Sequence, residues 1–226
     1  MHYVLSDIHG NERRFRSILK QIDLRPEDTL YVLGDVIDRH PGGLRILRQL
    51  MSMKNVRMLL GNHEYMMLRA QAHWYRNGGE VTHRHWKRLR KSIRAEFIEY
   101  LQSLPLNIDI QVGGTDYRLV HAAPEALWAE NNDPLYLTQT HFAVWRRLKE
   151  WEFPVPGPTL IFGHTPTRHY RDIAPMEVWH GPNAIGIDCG SGYPETGQDC
   201  EYGRLACIRL EDGKAFYSLE ESGNSL

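Results

Sequence analysis

Thiol chemistry has little to work with in this chain: its 226 residues include three cysteines, Cys189, Cys200 and Cys207. The number is odd, no pair has CxxC spacing, and all three fall in the last quarter. That excludes a disulfide framework and a cysteine-ligated zinc site, and the expected setting is a reducing cytoplasm. No apolar run approaches the roughly 20 residues needed to span a bilayer. No basic segment precedes the strand-like start at Met1, so neither export nor membrane insertion is expected. An excess of either charge is also missing. The formal net charge of -1 removes the electrostatic argument for nucleic acid or an anionic membrane as partner. Internal repeats, low-complexity tracts and linkers are absent too. With 42% hydrophobic residues, the expectation is one domain over residues 1–226.

What the chain does have is a repeated local design. Residues 2–6, 29–33 and 56–60 are short aliphatic runs, each ending at Gly, Asp, Asn or His, and they read as buried strands. Between them, Phe15, Ile18, Leu19 and Ile22, then Leu44, Leu47, Leu50 and Met51, recur at helical spacing. The order β-α-β-α-β predicts a parallel sheet whose functional groups gather at the carboxyl ends of its strands. Residues 65–104 read as a helical, basic insert broken near Asn77-Gly78-Gly79. Its second half is expected to form one amphipathic helix, with Trp86, Leu89, Ile93, Phe97 and Leu101 inward and Arg84, Lys87, Arg88, Lys91 and Arg94 outward. After Pro105, strands at 107–112, 117–121, 159–162, 184–188, 205–210 and 215–219 imply a second, partly antiparallel sheet.

Five strand ends carry hard or borderline metal ligands: Ser6-Asp7-Ile8-His9-Gly10, Gly34-Asp35-Val36-Ile37-Asp38-Arg39, Gly61-Asn62-His63-Glu64, Val120-His121-Ala122 and Phe162-Gly163-His164-Thr165. Alternation along an extended chain end would point Asp7 and His9 to one face. Oxygen and nitrogen donors without thiolate suit Mn²⁺, Fe or Zn²⁺ better than Ca²⁺. Six ligands exceed what one ion with an open position needs, and two ions sharing a carboxylate accommodate them.

Together these blocks resemble the signature segments of the calcineurin-like metallophosphoesterases, and GDVIDR with GNHE is similar to the phosphoprotein phosphatase branch in particular. The resemblance runs from Asp7 to about His164. It implies a four-layer α/β sandwich, two mixed sheets flanked by helices, with a dinuclear site where strands terminate. It makes Asp7 and His9 ligands of a first ion, Asp35 the bridge, and Asn62, His121 and His164 ligands of a second. His63 matches the general acid, Asp38 the carboxylate orienting it, and Arg39 and Arg147 (in Trp145-Arg146-Arg147) the phosphate clamps. The chain departs from the usual pattern at His40 and Ala122, where the family commonly has glycine. The implied activity is hydrolysis of a phosphomonoester on a phosphorylated protein or peptide, or a small phosphoester, with two divalent ions, Mn²⁺ foremost. A Ser/Thr protein phosphatase, with phosphotyrosine also accepted, is the first expectation; the alternative is a symmetrical dinucleoside tetraphosphate (Ap4A) hydrolase, for which Trp74, Trp86 or Trp128 would stack a base. A non-catalytic scaffold is the reading from a third class.

Overall fold

The computed structural model describes residues 1–69, 72–174, 176–193 and 203–219. Strands β1 (His2–Leu5), β2 (Thr29–Val32) and β3 (Val56–Met58) pair in parallel, joined by helices α1 (Glu12–Ile22) and α2 (Gly43–Ser52). Asn11 caps α1, its side chain accepting from the Arg14 amide, and Asp23 ends the helix in the left-handed region at φ 46°. Helices α3 (Asn62–Leu68), α4 (Gly79–Trp86) and α5 (Lys91–Gln102) follow. A second sheet begins with β4 (Asn107–Val112) and β5 (Thr115–Val120) and continues, past helix α6 (Gln139–Trp145), with β6 (Thr159–Phe162), β7 (Trp179–Gly181) and β8 (Ala184–Gly186). Strands β9 (Ala206–Arg209) and β10 (Ala215–Tyr217) return to the first sheet, whose order is β10-β9-β1-β2-β3. The second runs β4-β5-β6-β8-β7, with β5, β6 and β8 parallel and the two outer strands antiparallel.

Strand alternation builds the layers. In β1, Tyr3 and Leu5 join Phe15, Ile18, Leu47 and Leu50 of the helices, while Val4 faces the other way. Val4, Leu33, Leu59, Leu119, Ile161, Ile187 and Ile208 form the core between the sheets. Each such fully buried side chain contributes about 1.5–3 kcal/mol. Ile161 is inaccessible, and truncating it to alanine is expected to cost about 2–5 kcal/mol. The outer face of the second sheet, with Leu160, Phe162 and Trp179, lies under α6 and short 3-10 turns.

Two expectations change. The single basic helix is two: the chain breaks between Trp86 and Lys91, with Arg90 extended at ψ 151°. Arg84, Lys87, Arg88 and Lys91 stand three or four residues apart, and such like-charged spacing disfavours an unbroken helix. Trp86, Leu89 and Ile93 still pack on the core from both sides of the break. Strand β7 went unread because Trp179-His180-Gly181 has no alternation. It exists because Trp179 is buried among Phe153, Phe162 and Tyr170, its ring centroid 4.7 Å from that of Tyr170.

The parallel strands of both sheets deliver their carboxyl ends to one edge. There the sheets approach so closely that a Cβ at Gly163 would lie 2.0 Å from Ser6 Oγ and 2.3 Å from Asp7 Oδ2. Among the described residues, no helix is long and apolar enough to cross a membrane.

Candidate metal centre

All six proposed ligands and His63 converge at that edge, none more than 6% exposed. Two groups share Asp35: its carboxylate lies within ion-binding reach of His9 and His63 on one side, and of His121 and His164 on the other. The separations are 3.7 Å from Asp35 Oδ2 to His9 Nε2, 3.8 Å to His63 Nε2, and 3.5 Å from Asp35 Oδ1 to His121 Nε2. Asp7 Oδ1 stands 3.9 Å from His9 Nε2, while its Oδ2 accepts from Ser6 Oγ and the His164 amide.

Backbone conformation, more than strand alternation, aims these groups. Asp7, His9, Asp35, Asp38, Arg39 and His164 all have φ between 51° and 73°, a region non-glycine residues rarely occupy. The expected extended Asp7-Ile8-His9 end is therefore a tight loop. It is held by the His9 amide on the Asp35 carbonyl (2.9 Å) and the Gly10 amide on the Val36 carbonyl (2.8 Å). Glu64, fully buried, accepts from the amides of Asp35, Val36 and Ile37, locking the loop after β2. Its block was legible in sequence, its role was not.

The imidazoles reveal what the centre is built to hold. His121 gives Nδ1–H to the Leu33 carbonyl at 2.7 Å, which leaves a lone pair on Nε2 in the neutral ring. His164 points Nε2 at the Trp145 carbonyl, 3.2 Å away, leaving the lone pair on Nδ1. Both lone pairs face Asn62 Oδ1, each at 2.9 Å. Three acceptors meeting this way repel one another unless a cation lies among them. Burial, with His121 and Arg147 nearby, holds His164 well below the ordinary histidine value, and burial with Arg39 and His63 does the same to His9. Neutral rings are what a metal requires. Burial also pushes Asp35 well above the ordinary carboxylate value, with Asp7 and Glu64 adding to it and His63 opposing. Positive charge would reverse that penalty, so the residues present fit a pair of divalent ions.

Beside the ligands, His63 Nδ1 donates to Asp38 Oδ2 at 2.7 Å, and both residues are buried. Arg39 and Arg147 are exposed at the rim. Arg146 instead reaches Glu152 at 2.7 Å, which distinguishes the two adjacent arginines. His40 turns Nδ1 to the His9 carbonyl at 3.1 Å and so braces the ligand loop. Ala122 is buried.

Sequence reasoning missed three contributors. Asp188 follows β8 just as Asp7 and Asp35 follow β1 and β2, a signal that was available. It is 6% exposed, and burial together with Asp7 pushes its carboxyl up to about 7. Gly192 lies against the site: a Cβ there would stand 2.4 Å from His9 Cδ2 and 2.5 Å from Arg39 Nη1. Arg14, buried in α1, carries the same loop by donating to the Ser191 carbonyl at 2.9 Å. Ser191 Oγ donates to the Ile8 carbonyl at 3.2 Å, between the ligands Asp7 and His9, and residues 194–202, with Cys200, lie outside the described residues. Cys189 and Cys207 are buried thiols, and burial raises both far above the ordinary value, which fits an inert role.

The symmetrical bis(5'-nucleosyl)-tetraphosphatase of Acidovorax ebreus is 34% identical over 136 residues, which is 59% of this chain and 48% of that protein. That of Enterobacter sp. is 40% identical over 77 residues, 33% and 27% of the two chains. The chain thus spans about half, or less, of the curated relatives it matches. Among solved structures, a candidate diadenosine tetraphosphatase superposes with TM-score 0.65 at 18% identity, covering 98% of this chain and 94% of the other. A protein serine/threonine phosphatase from Saccharomyces cerevisiae gives 0.60 at 15%, covering 97% and 80%. At these identities the likeness is one of fold. The family model for calcineurin-like phosphoesterases matches residues 3–168, well over half of the chain and every strand end that carries a candidate ligand. By that match, and with two cation-demanding groups joined at one carboxylate, the chain belongs to the calcineurin-like phosphoesterase family.

Proposed function

We propose that the chain is a two-metal phosphohydrolase that splits a dinucleoside polyphosphate at a phosphoanhydride bond. The observation that carries the chemistry is the meeting of His121, His164 and Asn62 acceptors next to the shared Asp35 carboxylate. The substrate class is supported by the curated relatives, which bear the name symmetrical bis(5'-nucleosyl)-tetraphosphatase. This ranks the dinucleotide substrate above the protein phosphatase first expected, since the likeness to a Ser/Thr phosphatase is of fold alone. Trp74 and Trp86 line one cavity of about 580 Å³, whose mostly apolar lining includes Met67, Leu68 and Ile98 and no residue of the metal centre. Trp128 packs instead on the outer face of the second sheet.

In this reading Asp7, His9 and Asp35 would hold one ion and Asp35, Asn62, His121 and His164 the other, and the ions would supply Lewis-acid activation of water and neutralise phosphoryl charge. Arg39 and Arg147 grip the equatorial phosphoryl oxygens from the rim, where guanidinium forks match a tetrahedral anion. His63 carries a proton on Nε2 toward the departing oxygen, and Asp38 fixes the ring through Nδ1. The same groups serve a phosphomonoester, the second reading, which the GDVIDR and GNHE pair favours.

The test is chromatography of the products from diadenosine tetraphosphate with Mn²⁺ supplied, set beside a phosphoserine peptide and 4-nitrophenyl phosphate. Release of two ADP at a kcat/KM at least tenfold above the peptide's is expected. Faster turnover of the peptide would restore the phosphatase ranking, and inactivity on all three would favour the scaffold.

A further inference from the structure

We infer that Trp74 is a positioning residue that acts on the site through Asp38, an inference that rests on His63 being the proton donor. The Trp74 indole N–H donates to Asp38 Oδ2 at 2.7 Å, and the same oxygen accepts from His63 Nδ1 at 2.7 Å. Asp38 is inaccessible and Trp74 6% exposed. The other carboxylate oxygen, Asp38 Oδ1, is buried and has no hydrogen-bond partner among the described residues. Both donors therefore act on one oxygen, and a second N–H set against it opposes rotation about the carboxylate's own bond. With that rotation stopped, the His63 ring keeps one direction.

The segment around Trp74 is shaped for this contact. The Asp38 amide donates to Thr82 Oγ1 at 3.0 Å and the Arg39 amide to the Gly78 carbonyl at 3.1 Å. These two bonds seize the two consecutive left-handed residues, Asp38 at φ 73° and Arg39 at φ 63°. A Cβ at Gly79 would fall 2.3 Å from Trp74 Nε1, so glycine is what lets the indole lie flat across the turn. Trp74, Gly78, Gly79 and Thr82 thus form one clasp around the Asp38-Arg39 pair, reached from a helical region 36 residues away in sequence. Trp74 also belongs to the core next to the helices, so bulk alone must be separated from the N–H.

Trp74→Phe makes that separation, keeping an aromatic ring and removing the donor. In a positioning role its effect depends on how much the leaving group needs a proton. With the Mn²⁺-loaded protein, kcat on phenyl phosphate should fall about tenfold, and kcat on 2,4-dinitrophenyl phosphate less than about twofold, with KM and bound metal unchanged. Equal losses on the two esters would mean a packing role and overturn the inference. His63→Asn is measured alongside. If it shows the leaving-group contrast and Trp74→Phe does not, the Trp74 inference fails alone; if it shows none, the proton-donor reading fails and takes the inference with it. Should Trp74→Phe not fold, or aryl esters not turn over, nitrogen-15 tryptophan spectra of the Zn²⁺-loaded protein decide. Asp38→Asn should move one downfield indole N–H upfield by about 0.5 ppm or more, because a neutral amide oxygen accepts more weakly than a carboxylate. An unmoved indole spectrum would overturn the inference.

Discussion

Asn62 Oδ1 stands 2.9 Å from the lone-pair nitrogen of His121, whose other nitrogen is committed to the Leu33 carbonyl. An acceptor fixed against an acceptor in a buried place is a free-energy cost that folding carries until a cation arrives. Metal binding should therefore stabilise the protein as well as activate it. At Mn²⁺ one hundred times its Kd, the gain is about 2.7 kcal/mol, or about 5–10 °C in Tm for a chain this long. Scanning calorimetry with Mn²⁺ and with chelator measures it, and identical transitions would contradict the site.

Asp35→Asn should abolish that rise and bound metal while leaving the chelated protein no less stable than the wild type. The buried carboxylate is the more costly group when no cation is near, and an amide oxygen can still accept from the His63 amide, now 3.0 Å from Asp35 Oδ1. Metal analysis and a melting curve of the variant check both halves.

His63→Asn should keep both ions and lose about 10²–10⁴ in kcat. Although His63 Nε2 is 3.8 Å from Asp35, Nδ1 is held by Asp38, which suits proton delivery. Loss of metal in this variant would make His63 a ligand instead.

Arg147→Ala should raise KM and lower kcat/KM about 10–100-fold, the worth of one charge-assisted phosphate contact. Arg146→Ala should change kcat/KM less than about threefold. Its partner is Glu152, and the pair is about a quarter exposed on each side, so its stability contribution is at most about 1 kcal/mol. Steady-state kinetics of both variants settles the adjacent pair, and the reverse ranking would assign the clamp to Arg146.

In chelated protein Asp188 gives a definite pH slope. Its carboxyl is raised from 3.8 to about 7 by burial and by Asp7. Between about pH 4 and 7 the folded state keeps a proton that the unfolded state gives up. Stability is thus fully present below the unfolded value and is lost as pH rises through the folded one. Asp188→Asn should lessen that slope in urea titrations, leaving the part that Asp35 and Glu64, also raised by burial, contribute, and an unchanged slope would place its origin elsewhere.

Much of this was legible because it is local. Each ligand sits where an aliphatic run stops, and Asp35 or His121 is recognisable from its neighbours in sequence. The strands at 107–112 and 159–162 and the helix at 12–22 fall where periodicity put them. What periodicity could not supply is direction. Asp7 and His9 reach the site through left-handed backbone set by bonds to the β2 loop, not by alternation. Trp74 read as a base-stacking ring, yet its N–H serves Asp38, 36 positions away. The fit of Gly192 against His9 depends on how segments far apart in sequence stack. The broken basic helix was hidden because Trp86, Leu89 and Ile93 keep helical spacing across the break.

The central claim is a pair of ions joined by one carboxylate, and anomalous scattering from crystals grown with Mn²⁺ measures it directly. Two peaks about 3.5–4 Å apart on either side of Asp35, one near His9 and one among Asn62, His121 and His164, are expected. One peak, or two that do not share Asp35, would contradict it.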